Sequence, residues 1–195
     1  MKAIRIENPG KDSQLEICTI DPPSIKACEV LIKVHSFALN HADLLQRHGK
    51  YPPPKGTTEI PGLELAGEIV QIGDQTQGYQ IGDKVYALVN GGAYAEYCSA
   101  HFKLIHKIPS FMDFDTACAI PEALLTVHAT VFEMGQLKNK ERLLLHGAGS
   151  GITSIACQMA KVINAEVIST IGKETKRQQA RSLGIDNIYN YHKTW

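Results

Sequence analysis

The nine prolines of this 195-residue chain all lie between Pro9 and Pro121, and none follows. Proline interrupts helices and central strands, so the two parts of the chain cannot share one pattern of secondary structure. In the first part, short segments of alternating polar and apolar residues are separated by Gly-Asp, Pro-Pro and Gly-Gly turns, as in antiparallel sheets. In the second part, helix and strand patterns alternate, as in parallel sheets. The sequence therefore predicts two domains, 1–122 and 123–195.

The second domain contains too few strands for a complete dinucleotide-binding sheet. Its predicted strands are 141–146, 166–170 and 187–191, and its predicted helices are 123–134, about 150–163 and 175–183. A doubly wound dinucleotide-binding sheet has six strands in two halves. At ~30 residues or more per βαβ unit, the second half requires on the order of 100 further residues. We therefore expect an α/β fold in which a β-rich domain, with strands at 30–34, 68–72 and 84–89, precedes an incomplete parallel sheet, and a sequence that stops in the middle of a domain.

Composition limits the classes of ligand. The chain has 20 Lys+Arg and 20 Asp+Glu, a formal net charge of +0, which gives no electrostatic reason to expect nucleic acid or an anionic membrane as a partner. No segment approaches ~18 uninterrupted apolar residues, and the first residues lack the apolar region of a signal peptide. The five cysteines include no C-x-x-C pair and fit neither a disulfide framework nor a clustered zinc site. We expect a cytoplasmic protein that binds a small molecule.

A glycine-rich loop follows the strand at 141–146 and precedes a helix. Glycines at this place let backbone amides approach a pyrophosphate, and the start of the helix adds partial positive charge. Gly147 and Gly149 fit the G-x-G-x-x-G pattern, whereas Ile152 takes the place of the third glycine. The pattern predicts a cofactor site that includes these three residues, and a tight turn without a ligand is the alternative.

The residues after the second strand indicate which dinucleotide binds. An NAD site carries Asp or Glu at the tip of this strand, and a carboxylate there would repel a 2′-phosphate. This chain has no carboxylate at the strand tip and offers Gly172, followed by Lys173, Lys176 and Arg177. The pattern favours NADP(H) as cofactor. The alternative is an ordinary solvated basic helix face.

Seven motifs carry a resemblance to a known family. They lie in order at 39–47, 49–54, 61–67, 81–85, 91–97 and 120–126, with the glycine loop as the seventh. Together they resemble the zinc-free quinone oxidoreductases of the medium-chain dehydrogenase/reductase superfamily, in the branch of the tumour-suppressor-inducible NADPH quinone oxidoreductases and, more distantly, zeta-crystallin. The resemblance implies a GroES-like substrate domain followed by a Rossmann domain, of which this chain is the amino-terminal portion.

The resemblance also implies roles for individual residues. The residues implied at the catalytic site are Asn40, Asp43, Tyr51 and Thr126. Those implied to contact the cofactor are Ser150 and Gly151 at the pyrophosphate, and Gly172, Lys176 and Tyr191 in the pocket for the 2′-phosphate. Structural alternatives exist for several of these residues: Asn40 and Asp43 are good helix caps, Tyr51 fits a rim residue beside the adjacent prolines, and Tyr191 fits a residue packed on the sheet edge.

The resemblance argues against a metal. The eight histidines are scattered, with no H-E-x-x-H pattern, although scattered ligands can meet in space. In zinc-dependent relatives, a cysteine ligand stands at the position of Asn40 or His41 and a His-Glu pair at Leu63-Glu64, and leucine cannot bind zinc. We expect no metal, and we expect Glu64 to be a buried charge satisfied by a backbone or arginine partner. Thr153 departs from the family, where glycine is usual, and is expected to crowd the helix against the strand.

The implied function is NADPH-dependent reduction of quinones, or of related activated carbonyl and alkene substrates, by metal-free hydride transfer. The implied partners are a small quinone or enone and, at full length, a second copy in a homodimer. A non-catalytic NADPH-binding or scaffold protein of the same fold is the alternative. No residue of the chain separates quinone reduction from reduction of enones or aldehydes.

Overall fold

The computed structural model describes residues 1–185 and 187–193. The chain divides into two compact units, Met1–Glu122 and Ala123–Trp195.

The first unit is built from antiparallel strands. Its strands are β1 (Lys2–Glu7), β2 (Gln14–Thr19), β3 (Glu29–Phe37), β4 (Glu64–Ile72), β5 (Lys84–Leu88), β6 (Tyr97–His101) and β7 (Ile105–Lys107). β1 pairs with β2, and the other strands form a five-stranded sheet in the order β6-β3-β4-β5-β7. Its helices are α1 (His41–Arg47) and α2 (Phe114–Ala117), with a 3-10 turn at Phe102–Leu104.

Alternating apolar side chains form the core of the five-stranded sheet. Ile32 on β3, Ile69 on β4 and Val85 on β5 are fully buried, since successive side chains of a strand point to opposite faces. Burial of each such side chain contributes about 1.5–3 kcal/mol relative to an exposed position. The three strands predicted for this domain are present, and β3 and β4 extend beyond their predicted bounds.

The second unit contains a parallel sheet. Its strands are β8 (Arg142–Leu145), β9 (Glu166–Ile171) and β10 (Asn187–Asn190), and its helices are α4 (Gly151–Val162) and α5 (Arg177–Ser182). The three strands are parallel in the order β10-β9-β8. Small residues of α4, Cys157 and Ala160, share a buried cluster with Val167 of β9 and Ile188 of β10. The predicted fold class, an antiparallel β domain followed by an incomplete parallel sheet, is confirmed.

Two predicted helices differ from the observed ones. The helix predicted at 123–134 is α3 (Pro121–Val127) followed by a π-helix at His128–Met134. The Thr130 hydroxyl donates to the Thr126 carbonyl at 2.7 Å, and the carbonyl of Thr130 accepts from Gly135 N, a bond across five residues that widens the turn. The helix predicted at 175–183 begins as a 3-10 turn at Glu174–Lys176 and continues as α5.

Candidate functional site

The glycine-rich loop is fixed at the carboxyl end of the parallel sheet by one residue of β9. Gly147 has φ +80°, in the left-handed region that glycine adopts without strain. Its N–H donates to Thr170 Oγ1 at 3.3 Å, and the N–H of Ala148 donates to the Thr170 carbonyl at 2.9 Å. Gly147 therefore supplies the turn that redirects the chain, and its amide is used within the fold.

The next turn of chain presents free amides. Ser150 is the N-cap of α4, and its Oγ accepts from Thr153 N at 3.1 Å. The N–H groups of Gly151 and Ile152 lie in the first turn of this helix, where no intrahelical acceptor exists. A Cβ at Gly151 would meet no atom within 4 Å, so the space beside the first turn is open. The loop fits an anionic group such as the diphosphate of a dinucleotide, held by the amides of Gly151 and Ile152.

Thr153, which the sequence predicted to crowd the helix against the strand, is bound inside the loop. Its side chain is buried, with 2% of the residue exposed. Its hydroxyl donates to the Gly147 carbonyl at 3.1 Å and accepts from Ser150 Oγ at 2.9 Å. The hydroxyl is therefore used by hydrogen bonds inside the loop, and crowding of the helix stays a prediction.

Lys176 lies over the loop. A Cβ built on Gly149 would lie 3.2 Å from both Cδ and Nζ of Lys176. The structure thus brings together two residues that the sequence assigned to one cofactor site, and it places a cation against Gly149, two residues before the first open amide of α4.

Gly172 and Tyr191 are also neighbours. A Cβ on Gly172 would collide with the phenolic oxygen of Tyr191. Tyr191 N donates to the carbonyl of Ile171, the last residue of β9, at 3.1 Å. Two of the residues predicted for the 2′-phosphate pocket therefore meet at the end of β9, and Tyr191 is half exposed there.

Arg177, offered by the sequence as a third cation, has structural partners. It forms an ion pair with Glu174 and donates to the Ile188 carbonyl at 2.9 Å. The hydrogen bond from Arg177, aided by Asn190 and Lys193, lowers the pKa of the Glu174 carboxyl to about 2. The guanidinium is therefore committed to joining α5 to β10, and Lys176 is the cation at the loop.

A second set of polar side chains lies in the first unit. Asn40 is the N-cap of α1, and its side-chain amide donates to Glu64 Oε1 at 2.8 Å. The other oxygen of Glu64 accepts from Glu122 N at 2.9 Å. Asp43 Oδ2 accepts from Asn40 N at 2.7 Å and from Tyr94 Oη at 2.8 Å. These bonds form a buried polar network, defined as Asn40, Asp43, Glu64 and Tyr94.

The charged members of the polar network have no cationic partner among the described residues. Glu64 is 3% exposed. Burial raises the pKa of its carboxyl, and the hydrogen bonds from Glu122 N and Asn40 oppose that rise. Burial and the bond to the Asp43 carboxylate raise the pKa of Tyr94 well above its usual range, so its phenol remains a donor. Glu64 has two partners: the backbone amide of Glu122, one of the two expected kinds, and the side-chain amide of Asn40, which was not expected.

Sequence reasoning missed Tyr94. The structure shows that Gly62, with φ +97°, packs so closely on the Tyr94 ring that a Cβ would collide with it, a contact that residue types alone do not reveal. Asp43 caps α1, which is the structural role that the sequence offered as an alternative to a catalytic one. It also accepts a hydrogen bond from Tyr94. Tyr51 is 45% exposed and has no bond to the polar network among the described residues. Thr126 lies on α3 in the second unit.

Metal and membrane features are not found in the described chain. In residues 1–185 and 187–193, no three His, Cys, Asp or Glu side chains are arranged to hold a metal ion. The same residues contain no helix with the length and apolar character needed to span a bilayer. All five cysteines are free thiols.

Comparisons with known proteins agree with this architecture. Residues 26–110 match the alcohol dehydrogenase GroES-like domain. The chain is 32% identical over 171 residues to the synaptic vesicle membrane protein VAT-1 homolog-like of Mus musculus, covering 87% of this chain and 41% of that protein. It is 30% identical over 194 residues to the quinone oxidoreductase of Homo sapiens, covering 98% of this chain and 59% of that protein. The chain thus spans about half the length of these relatives.

Solved structures give the same result. The Escherichia coli quinone oxidoreductase complexed with NADPH matches with a TM-score of 0.86 at 27% identity, over 100% of this chain and 59% of that one. The CurK enoyl reductase matches with a TM-score of 0.85 at 26% identity, over 98% and 60% respectively. The predicted resemblance to quinone oxidoreductases is confirmed.

Proposed function

Because residues 26–110 match the alcohol dehydrogenase GroES-like domain and the chain is similar to quinone oxidoreductases over nearly all its length, we propose that the protein is an NADPH-dependent oxidoreductase. Its substrates are quinones or related activated carbonyl and alkene compounds, and the reaction is a hydride transfer without a metal. The observation that carries the proposal is the position of Lys176 over Gly149, in the loop that leads into the open amides of α4.

The second unit has the residues to hold the cofactor. The amides of Gly151 and Ile152 and the loop around Ser150 suit its diphosphate. Lys176, with Gly172 and the Tyr191 phenol at the end of β9, suits the 2′-phosphate, since a cation and a hydroxyl donor attract a phosphate that a carboxylate would repel. When bound, NADPH supplies a hydride at its nicotinamide ring.

The polar network of the first unit suits the substrate. Glu64 fixes the orientation of the Asn40 amide, whose nitrogen carries a second hydrogen. A fixed donor stabilises the negative charge that develops on a substrate oxygen during reduction. Asp43 and Tyr94 hold the start of α1, and the exposed phenol of Tyr51 is a further donor. The role of Thr126 beside the nicotinamide stays a prediction.

The chemistry of these side chains supports a reaction without zinc. Leu63 has no donor atom, and a neutral amide such as that of Asn40 is not among the usual zinc ligands. Both oxygens of Glu64 are already bound, one to Asn40 and one to Glu122 N. We therefore assign the stabilisation of negative charge on the substrate to hydrogen-bond donors.

The range of substrates follows from the named relatives. The human and Escherichia coli proteins are quinone oxidoreductases, and CurK is an enoyl reductase, which supports quinones and activated alkenes as one class of acceptor. A cytoplasmic location and a homodimer at full length stay predictions.

The test measures binding and turnover together. NADPH binding is followed by its fluorescence, and NADPH oxidation by absorbance, with 1,2-naphthoquinone and a small enone as acceptors. We expect oxidation of NADPH in preference to NADH. Binding without turnover would favour the non-catalytic alternative, and equal use of NADPH and NADH would contradict the assignment of Lys176.

A further inference from the structure

Three hydrogen bonds of the glycine loop hold the backbone groups of one residue, Gly147. The Gly147 carbonyl accepts from Ser150 N at 3.0 Å and from Thr153 Oγ1 at 3.1 Å. The Gly147 N–H donates to Thr170 Oγ1 on β9. Both polar ends of this residue are therefore held inside the fold.

The orientation of this carbonyl matters for an anion. A carbonyl oxygen carries partial negative charge, and if it faced a diphosphate it would repel it. The two donors that hold the Gly147 oxygen are one backbone amide and one side chain. Thr153 is thus the only side chain among the described residues that holds this oxygen inside the loop.

Thr153 also determines what Ser150 can do. The Ser150 hydroxyl donates to Thr153 Oγ1 and accepts from Thr153 N, so its single proton is used within the loop. The Ser150 hydroxyl therefore has no proton left to donate and presents only its oxygen to a ligand. The donors that remain for a diphosphate are the amides of Gly151 and Ile152. Donation by Ser150 to phosphate requires breaking its bond to Thr153.

We propose that Thr153 is a positioning residue for the dinucleotide: its hydroxyl keeps the Gly147 carbonyl turned away from the diphosphate, which is bound by backbone amides and not by the Ser150 hydroxyl. The inference rests on the proposed function, since it concerns the same cofactor. It goes beyond that proposal because it makes the affinity for the diphosphate depend on a side chain that does not touch it.

The test compares three variants in the full chain. Thr153→Ser keeps the hydroxyl, Thr153→Val keeps the shape and removes it, and Thr153→Ala removes it without placing a methyl group against the carbonyl. We expect the Kd for NADPH to rise about three- to tenfold in the Val and Ala variants, the effect of one net hydrogen bond, and to stay within about twofold in the Ser variant. Thermal melting shows which variants are folded. If Thr153→Val does not fold, the Kd of Thr153→Ala tests the role of the hydroxyl.

A second ligand separates positioning from general damage. Adenosine 2′-monophosphate has the 2′-phosphate and lacks the diphosphate, so its affinity, measured by NMR titration, is expected to be the same in all variants. If the Val and Ala variants bind NADPH as the wild type does, or lose both ligands to the same extent, the inference is wrong. Absence of NADPH binding by the wild type would instead overturn the proposed function.

Discussion

The side chain of Lys176 crosses Gly149 so closely that a Cβ at position 149 would lie 3.2 Å from its ammonium nitrogen. A cation is thereby held over the glycine-rich loop. The contact links the residues that follow β9 to the loop that follows β8. The preference for NADPH over NADH is expected to depend on it.

Replacing Lys176 by methionine is expected to weaken NADPH binding selectively. Loss of the ammonium removes a charge-assisted contact with phosphate, so the Kd for NADPH should rise about tenfold while the Kd for NADH changes little. Lys138→Met is the matched control, because Lys138 is exposed and precedes β8 at the opposite end of that strand. Fluorescence titration with both nucleotides measures the ratio, and an equal loss for NADPH and NADH would contradict the assignment.

Gly151→Ala is expected to separate stability from binding. A Cβ at this position meets no atom within 4 Å and its backbone is helical, so the melting temperature should stay the same or rise. The added methyl group would stand where the diphosphate approaches, so the Kd for NADPH should rise at least about tenfold. A variant that is stable and binds NADPH normally would show that the diphosphate lies elsewhere.

Tyr94→Phe is expected to destabilise the first unit. Asp43 Oδ2 would lose one of its two donors, and Asp43 Oδ1 is already buried without a hydrogen-bond partner among the described residues. We expect the free energy of unfolding to fall by about 1–3 kcal/mol in urea denaturation. Tyr86→Phe serves as the control, since the phenol of Tyr86 has no hydrogen bond in the described structure, and a similar loss in both variants would count against the polar network.

Stability should depend on pH through Glu64. Burial raises the pKa of this carboxyl above its usual 4.5, so the folded state binds a proton more tightly than the unfolded state does. Its contribution is fully present below pH 4.5 and is lost as the pH rises through the raised pKa. The stability of the wild type relative to Glu64→Gln should therefore fall as the pH rises above 4.5. Urea denaturation between about pH 4 and 7 measures the difference, and a flat difference would refute the role of burial.

Local patterns predicted the second unit well. The strands and α4 lie within about two residues of their predicted bounds, because apolar runs and glycines mark their ends. The π-helix at His128–Met134 was not predictable, since residue patterns do not distinguish its five-residue hydrogen bond, from Gly135 N to the Thr130 carbonyl, from the four-residue bond of an α-helix. Residue type alone could not tell whether Lys176 or Arg177 is the cation at the glycine loop. Arg177 forms an ion pair with Glu174 instead, and that ion pair exists only in the folded chain.

The polar network shows what sequence patterns cannot supply. Asn40 and Glu64 were both singled out, but their contact depends on where α1 begins relative to β4. Tyr94 comes from a segment far along the chain and had no periodic signal of its own. Distances between such segments are set by sheet pairing, which the alternation of polar and apolar residues does not encode.

Thr170 holds the loop with both its carbonyl and its hydroxyl, and β9 pairs with β8 so that Ser169 lies opposite Leu145. A slip of one residue in this pairing would turn the Thr170 side chain to the other face of the sheet and remove the hydroxyl anchor. Nucleotide affinity would then serve as a sensitive reporter of strand alignment, more so than spectroscopic helix or strand content, which such a slip leaves almost unchanged.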